Sequence, residues 1–216
     1  MSQKFDWEEV SVAIDGVAGA GKTTVGRALS QEIGLTFFDT GSTYRAVALR
    51  ALQLGIVEDD AETITKLASR AEIGIEGGRI RIDGVDVTDL IRTAEVSSFT
   101  SKIAVIPALR SVMVAWQRRY AEAQGGVVGD GRDCGTVVLK AARLKVYLDA
   151  DPSVRALRRK DLSLATLIER DHRDSTRSVD PLRRVEGSVV IDTSETTVTD
   201  TVALLVRLYQ EANSRT

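Results

Sequence analysis

Gly16-Val17-Ala18-Gly19-Ala20-Gly21-Lys22-Thr23 fits the pattern G-x-x-x-x-G-K-[ST] at every position, and that spacing has a chemical purpose. The glycines let the backbone wrap so that successive N–H groups face phosphate oxygens, and a helix beginning at the lysine adds its positive end. In such a loop Lys22 neutralises charge on the β- and γ-phosphates, and the Thr23 hydroxyl takes a place on Mg²⁺. Two further constellations suit phosphate. Asp39-Thr40-Gly41-Ser42-Thr43-Tyr44-Arg45 and Gly129-Asp130-Gly131-Arg132-Asp133-Cys134-Gly135-Thr136 each hold an arginine fit for a bidentate phosphate contact, Arg45 and Arg132. The second adds Asp130 and Asp133, which can hold Mg²⁺ through water or accept from an exocyclic amine, and its alternative is a surface turn. Arg170, Asp174 and Arg177 stand at i, i+4 and i+7, one face of a helix, suited to a ligand or simply to a solvated ion pair.

The elements that must position these residues alternate. Val10 to Asp15 reads as a strand running into the glycine loop, and Val25, Leu29 and Ile33 give the next segment helical spacing up to Gly34. Thr36-Phe37-Phe38, Val127-Val128-Gly129, Leu144 to Leu148 and Val189-Val190-Ile191 read as further strands. Helices are expected over 41–54, 61–71, 93–123 with a break near Pro107, 152–160, 164–175 and 198–212. Between them Ile73-Gly74-Ile75, Ile80-Arg81-Ile82 and Val85-Asp86-Val87, joined by glycine turns, read as small antiparallel strands. The fold expected is α/β: a P-loop NTPase-type parallel sheet flanked by helices, a small inserted β subdomain and a short helical lid. Residues 1–60 and 92–216 form the core in this reading, with the lid at about 151–178, and residues 61–91 hold a helix and the inserted sheet.

Composition narrows the function. With 29 Lys and Arg against 31 Asp and Glu, the net charge of -2 argues against a dedicated nucleic-acid binder. One cysteine and one histidine exclude an internal disulfide and the usual structural zinc sites. The acidic start lacks the basic-then-apolar order of a signal peptide, and no run approaches a membrane span, so the expectation is a cytoplasmic protein without a membrane partner. A GTPase would need N-K-x-D, but the only asparagine is Asn213. His172-Arg173-Asp174 imitates a protein-kinase loop, yet Val179 stands where that loop needs its asparagine.

In order along the chain, the P-loop, Asp39 to Arg45, the 72–91 insertion, Asp130-Gly131-Arg132-Asp133 with Gly135-Thr136-Val137-Val138, and Glu169 to Arg177 resemble the bacterial cytidylate kinases, a family of P-loop nucleoside monophosphate kinases. The resemblance implies transfer of the γ-phosphate of ATP to CMP, and to dCMP, with Mg²⁺, by a monomer. It implies that ATP is held by Gly16, Val17, Ala18, Gly19, Ala20, Gly21, Lys22, Thr23 and Thr24, with Arg155, Arg158 and Arg159 in the lid and Arg158 closing on ATP. Arg45, Arg132 and Arg177 would gather round the CMP phosphate and the transferred group, which makes Lys22, Arg132 and Arg177 the catalytic set. Thr40, Tyr44, Arg170 and Asp174 would hold the monophosphate and ribose, while Ser101, Arg110 and Asp133 would read cytosine. Thr23 and, through water, Asp130 would hold the metal. Thr40 departs from the usual serine, Cys134 from a larger apolar residue and Lys140 from proline, and the lid is short, with Asp161-Leu162-Ser163 between its helices. The alternatives are a UMP or dTMP kinase, or a non-catalytic nucleotide sensor or RNA-binding module using the basic clusters at 155–160 and 183–184; few aromatic residues speak against the last.

Overall fold

The computed structural model describes residues 6–159 and 163–214; Lys160, Asp161 and Leu162 of the expected lid lie outside the described residues. Strand β1 (Val12–Gly16) is buried at all five positions, which is why its sequence is a near-continuous apolar run and does not alternate. It is the central strand of a five-stranded parallel sheet, flanked by β6 (Val127–Gly131) and β7 (Leu144–Asp149), with β2 (Thr36–Asp39) and β8 (Val189–Asp192) at the edges. The register sets Asp15 opposite Gly131 on one side and Tyr147 on the other. Helix α1 (Lys22–Ile33) turns Val25 and Leu29 into a core shared with Val12, Ile14, Val128, Val146, Leu148 and Leu205 of α8 (Val198–Asn213).

Residues 40–117, together with 177–179, form one compact unit and the rest of the chain the other. In the smaller unit α2 (Thr40–Gln53) and α3 (Ala61–Arg70) precede an antiparallel sheet of β3 (Ile73–Glu76), β4 (Arg79–Ile82) and β5 (Val85–Asp86). Strand β4 buries Ile80 and Ile82 and exposes Arg79 and Arg81, the alternation of a sheet covered on one face. Helix α4 (Ala94–Ile103) ends before Pro107, which takes the first position of α5 (Pro107–Ala123), where its missing N–H costs nothing. These pieces have a core of their own around Val47, Ile64, Ile82, Phe99, Ile103 and Met113. The unit is wider than the 61–91 segment expected to hold a helix and the inserted sheet, because α2 and α4 pack into the same core as the inserted strands.

Helix α6 (Pro152–Arg158) is capped by the Asp151 carboxylate, which accepts from the Ser153 N–H at 2.8 Å. Helix α7 (Leu164–Thr176) stops short of Arg177, so Arg177 does not continue the helical face of Arg170 and Asp174 as the i, i+4, i+7 spacing suggests. The chain turns back there, and the Asp174 carbonyl accepts from the Leu182 N–H at 2.8 Å. The segment after β6 closes as a wide turn over Cys134–Val138, with the Leu139 N–H on the Cys134 carbonyl at 2.7 Å.

Candidate active site

The loop between β1 and α1 takes its shape from backbone constraints. Gly16 has φ +146°, and a Cβ there would stand 2.0 Å from the Leu148 carbonyl oxygen, so β7 leaves room for no side chain. Gly19 has φ +80° and lies against Arg155, whose Cβ would be 3.0 Å from an added methyl. The polar groups of Ala18 are gripped from outside: its N–H donates to Asp171 Oδ1 at 3.1 Å, and its carbonyl accepts from Arg155 Nη1 at 3.0 Å. Arg155 is buried, also bonds the Ala150 carbonyl at 2.9 Å, and pairs with Asp171. Its guanidinium is thereby committed to the loop's shape, a different task from the lid contact with ATP that the sequence suggests.

Lys22 is buried, and its Nζ donates to the Val17 carbonyl at 2.7 Å. Burial holds its pKa well below the ordinary lysine range, and the Arg132 charge pushes the same way against the pull of Asp130. Thr23 Oγ1 donates to Asp130 Oδ2 at 2.7 Å, so the hydroxyl and the carboxylate named for the metal stand side by side. Asp130 and Asp133 are 3% and 8% exposed, which removes the surface-turn reading of D-G-R-D. Arg132 donates from Nε to Asp174 Oδ2 at 2.8 Å. Burial opposes its charge, but Asp174, Asp171 and Asp130 outweigh that cost and hold the guanidinium above its ordinary range. The α1–β6–α7 corner of this unit thus concentrates Lys22, Arg132 and Arg170 among Asp130 and Asp174, a cationic set for a polyanion.

Arg158, expected on ATP, bonds Thr193 through both Nη atoms, at 3.0 Å to the hydroxyl and 2.5 Å to the carbonyl. Thr193 Oγ1 in turn reaches the Ala20 carbonyl at 3.0 Å, so Arg158 is tied to the phosphate loop through one residue. In the smaller unit, Thr40, Tyr44, Ser101, Arg110 and Arg177 are all buried and Arg45 is half-buried. Gln117 Nε2 donates to the Thr40 carbonyl at 3.2 Å and to Thr43 Oγ1 at 3.0 Å, fixing the start of α2. Arg110 donates to the Ala104 carbonyl at 3.1 Å and lies over the Tyr44 ring at 5.8 Å. The Ser101 hydroxyl is buried with no hydrogen-bond partner among the described residues, a debt that a ligand can settle.

The profile of the cytidylate kinases matches residues 12–211, nearly the whole chain. The chain belongs to the cytidylate kinase family. It is similar to a cytidylate kinase of Solibacter usitatus, 40% identical over 94% of this chain and 93% of that protein, and to one of Mycobacterium leprae, 39% identical over 94% and 96%. An uncharacterised protein of Eubacterium ventriosum shares the fold, with a TM-score of 0.51 at 12% identity over 94% of this chain and 99% of that one. This member of the cytidylate kinase family is therefore a kinase, a phosphotransferase. Among its described residues no single helix is long and apolar enough to cross a membrane. Sequence reasoning assigns no role to Asp15, Asp171, Gln117 and Thr193, all polar residues that are buried or half-buried, Asp15 and Thr193 at strand ends and Asp171 and Gln117 within helices. Asp15 alone leaves a trace, as a carboxylate closing an otherwise apolar buried strand.

Proposed function

We propose that this kinase transfers the γ-phosphate of ATP to CMP and dCMP, giving ADP and the cytidine diphosphates. The observation that supports the base is the set of buried polar side chains made for flat, hydrogen-bonding edges: Ser101 with its unpartnered hydroxyl and Arg110 on α4 and α5, and Asp133 after β6. Asp133 would accept from the cytosine N4 amine while Arg110 and Ser101 meet N3 and O2; uracil inverts the N3 and C4 pattern and would leave these groups unpaired. Thr40, Tyr44, Arg170 and Asp174 would hold the ribose and monophosphate, and Arg45, Arg132 and Arg177 its phosphate.

ATP phosphates would lie along the amides of 16–24, with Arg158 contributing from α6. The CMP phosphate oxygen attacks the γ-phosphorus in line, and no covalent enzyme intermediate is required. Lys22 and the arginines would neutralise charge on the moving group, and the burial of Lys22 and Arg177 would make their interactions stronger than in water. The oxygen donors of Thr23 and Asp130 fit Mg²⁺, which when bound would neutralise phosphate charge. The enzyme would act in the cytoplasm as a monomer, with nucleotides as its only partners. Initial-rate measurement of ADP release with CMP, dCMP, UMP and AMP tests the assignment: CMP and dCMP should be the efficient acceptors, and a preference for UMP or AMP would overturn it.

A further inference from the structure

Asp133 occupies the N-terminal cap position of the wide turn Cys134–Val138, yet its side chain makes no cap hydrogen bond. An aspartate there ordinarily folds back onto the second or third amide of its own turn. Here the second of those amides is bonded instead by a residue of another strand. Asp15, the penultimate residue of β1, accepts from the Cys134 N–H at 2.7 Å with Oδ1 and from the Gly135 N–H at 2.8 Å with Oδ2. Gly135 provides the second amide of the turn, one of the two that Asp133 would otherwise seek. The space around that amide is tight as well, since a Cβ on Gly135 would come within 3.3 Å of Asp15 Oδ2.

Asp15 is 3% exposed and belongs to no phosphate-binding pattern; what it touches is the turn that carries Asp133. We propose that Asp15 is a positioning residue for base selection: by capping the 134–138 turn from β1, it keeps the Asp133 carboxylate from capping that turn itself and leaves it directed to the base. The inference rests on the reading of Asp133 as the group that meets cytosine N4. Strand β1 then has two tasks at one end, since Gly16 opens the phosphate loop immediately after Asp15 sets the base-reading turn. Without the Asp15 carboxylate, the Gly135 amide is released to bond Asp133, and cytosine must compete with it.

The test measures kcat/KM for CMP and UMP with wild type, Asp15→Asn, Asp133→Ala and the double variant. Asp15→Asn keeps the side-chain shape but turns one of its two acceptors into an NH₂ that faces an N–H. It should lower the CMP:UMP ratio about tenfold, the scale of one charged hydrogen bond, through a higher KM for CMP, with KM for ATP within about twofold. The double variant should have the ratio of Asp133→Ala alone, because Asp15 acts through Asp133. Asp15→Ser, which offers a single acceptor on a shorter arm, serves as a second variant with the same expected pattern should the first be recovered in poor yield. A CMP:UMP ratio unchanged in the Asp15 variants while Asp133→Ala shifts it, or effects that multiply in the double variant, would overturn the proposal and leave the reading of Asp133 standing. A ratio unmoved by Asp133→Ala itself would remove both.

Discussion

A carboxylate taken out of water must be compensated, and at Asp15 the compensation is incomplete. Burial raises its pKa from 3.8 to about 6, with the Asp133 charge adding to the rise and the Gly135 and Cys134 amides and Lys22 opposing it. The folded protein therefore holds this proton more tightly than the unfolded chain does. Its contribution to stability is greatest below about pH 4, falls as the pH rises toward 6 and is lost above that. Across this window the loss amounts to about 3 kcal/mol. Urea unfolding of wild type and Asp15→Asn at pH 4 and pH 7 should show the difference in stability moving by that order in favour of the asparagine variant at the higher pH. A constant difference would mean that Asp15 titrates alike in both states. Lys22 faces the opposite test: Lys22→Ala removes a buried cation whose hydrogen bond among the described residues goes to the loop carbonyl of Val17, so the fold should persist while kcat/KM falls by at least about 100-fold. Wild-type rates in that variant would dissociate the glycine loop from catalysis.

At the scale of elements, the β1–loop–α1 unit depends on a contact between backbones. Gly16→Ala would force a methyl into the Leu148 carbonyl at a φ that L-residues rarely adopt, and should cost about 3 kcal/mol or more in chemical denaturation. A cost below 1 kcal/mol would mean that β1 and β7 separate easily at this end. This unit is also the most legible part of the chain, because glycine spacing, a buried apolar strand and a periodic helix all agree on it. The 134–138 turn is not legible. Five residues carry no periodicity, and its decisive partner, Asp15, is 119 residues away along the chain. Arg177 shows the opposite failure: the spacing from Arg170 is helical, but a tertiary bond from Leu182 to Asp174 ends the helix first. Arg155 reads from its neighbours as a mobile lid residue, and only burial against Ala18 and Asp171 reveals its part in shaping the phosphate loop.

At the scale of the whole molecule, two cores with no member in common support the two compact units. Leu29 in one and Ile64 in the other are fully buried, and Leu29→Ala or Ile64→Ala should each cost about 2–5 kcal/mol. Because they share no packing partners, the double variant should show the sum within about 0.5 kcal/mol, as urea titration of the four proteins would reveal. A coupling energy well beyond that would mean that the two sites are linked through shared packing. The boundary of the smaller unit escapes sequence reading for the same reason: glycine turns mark where the inserted sheet begins and ends, whereas core membership, which draws in α2 and α4, leaves no local signature.

The chain's single cysteine sits at the first position of the turn that Asp15 caps, with no exposed surface. A thiol reagent can reach Cys134 only when that turn opens, so the labelling rate, divided by that of a small exposed thiol, gives the equilibrium for local opening. The protein thus carries its own intrinsic reporter beside Asp133, the carboxylate proposed to read the base. Saturating CMP should slow the modification, and Asp15→Asn should speed it, in a measurement that needs neither ATP nor turnover.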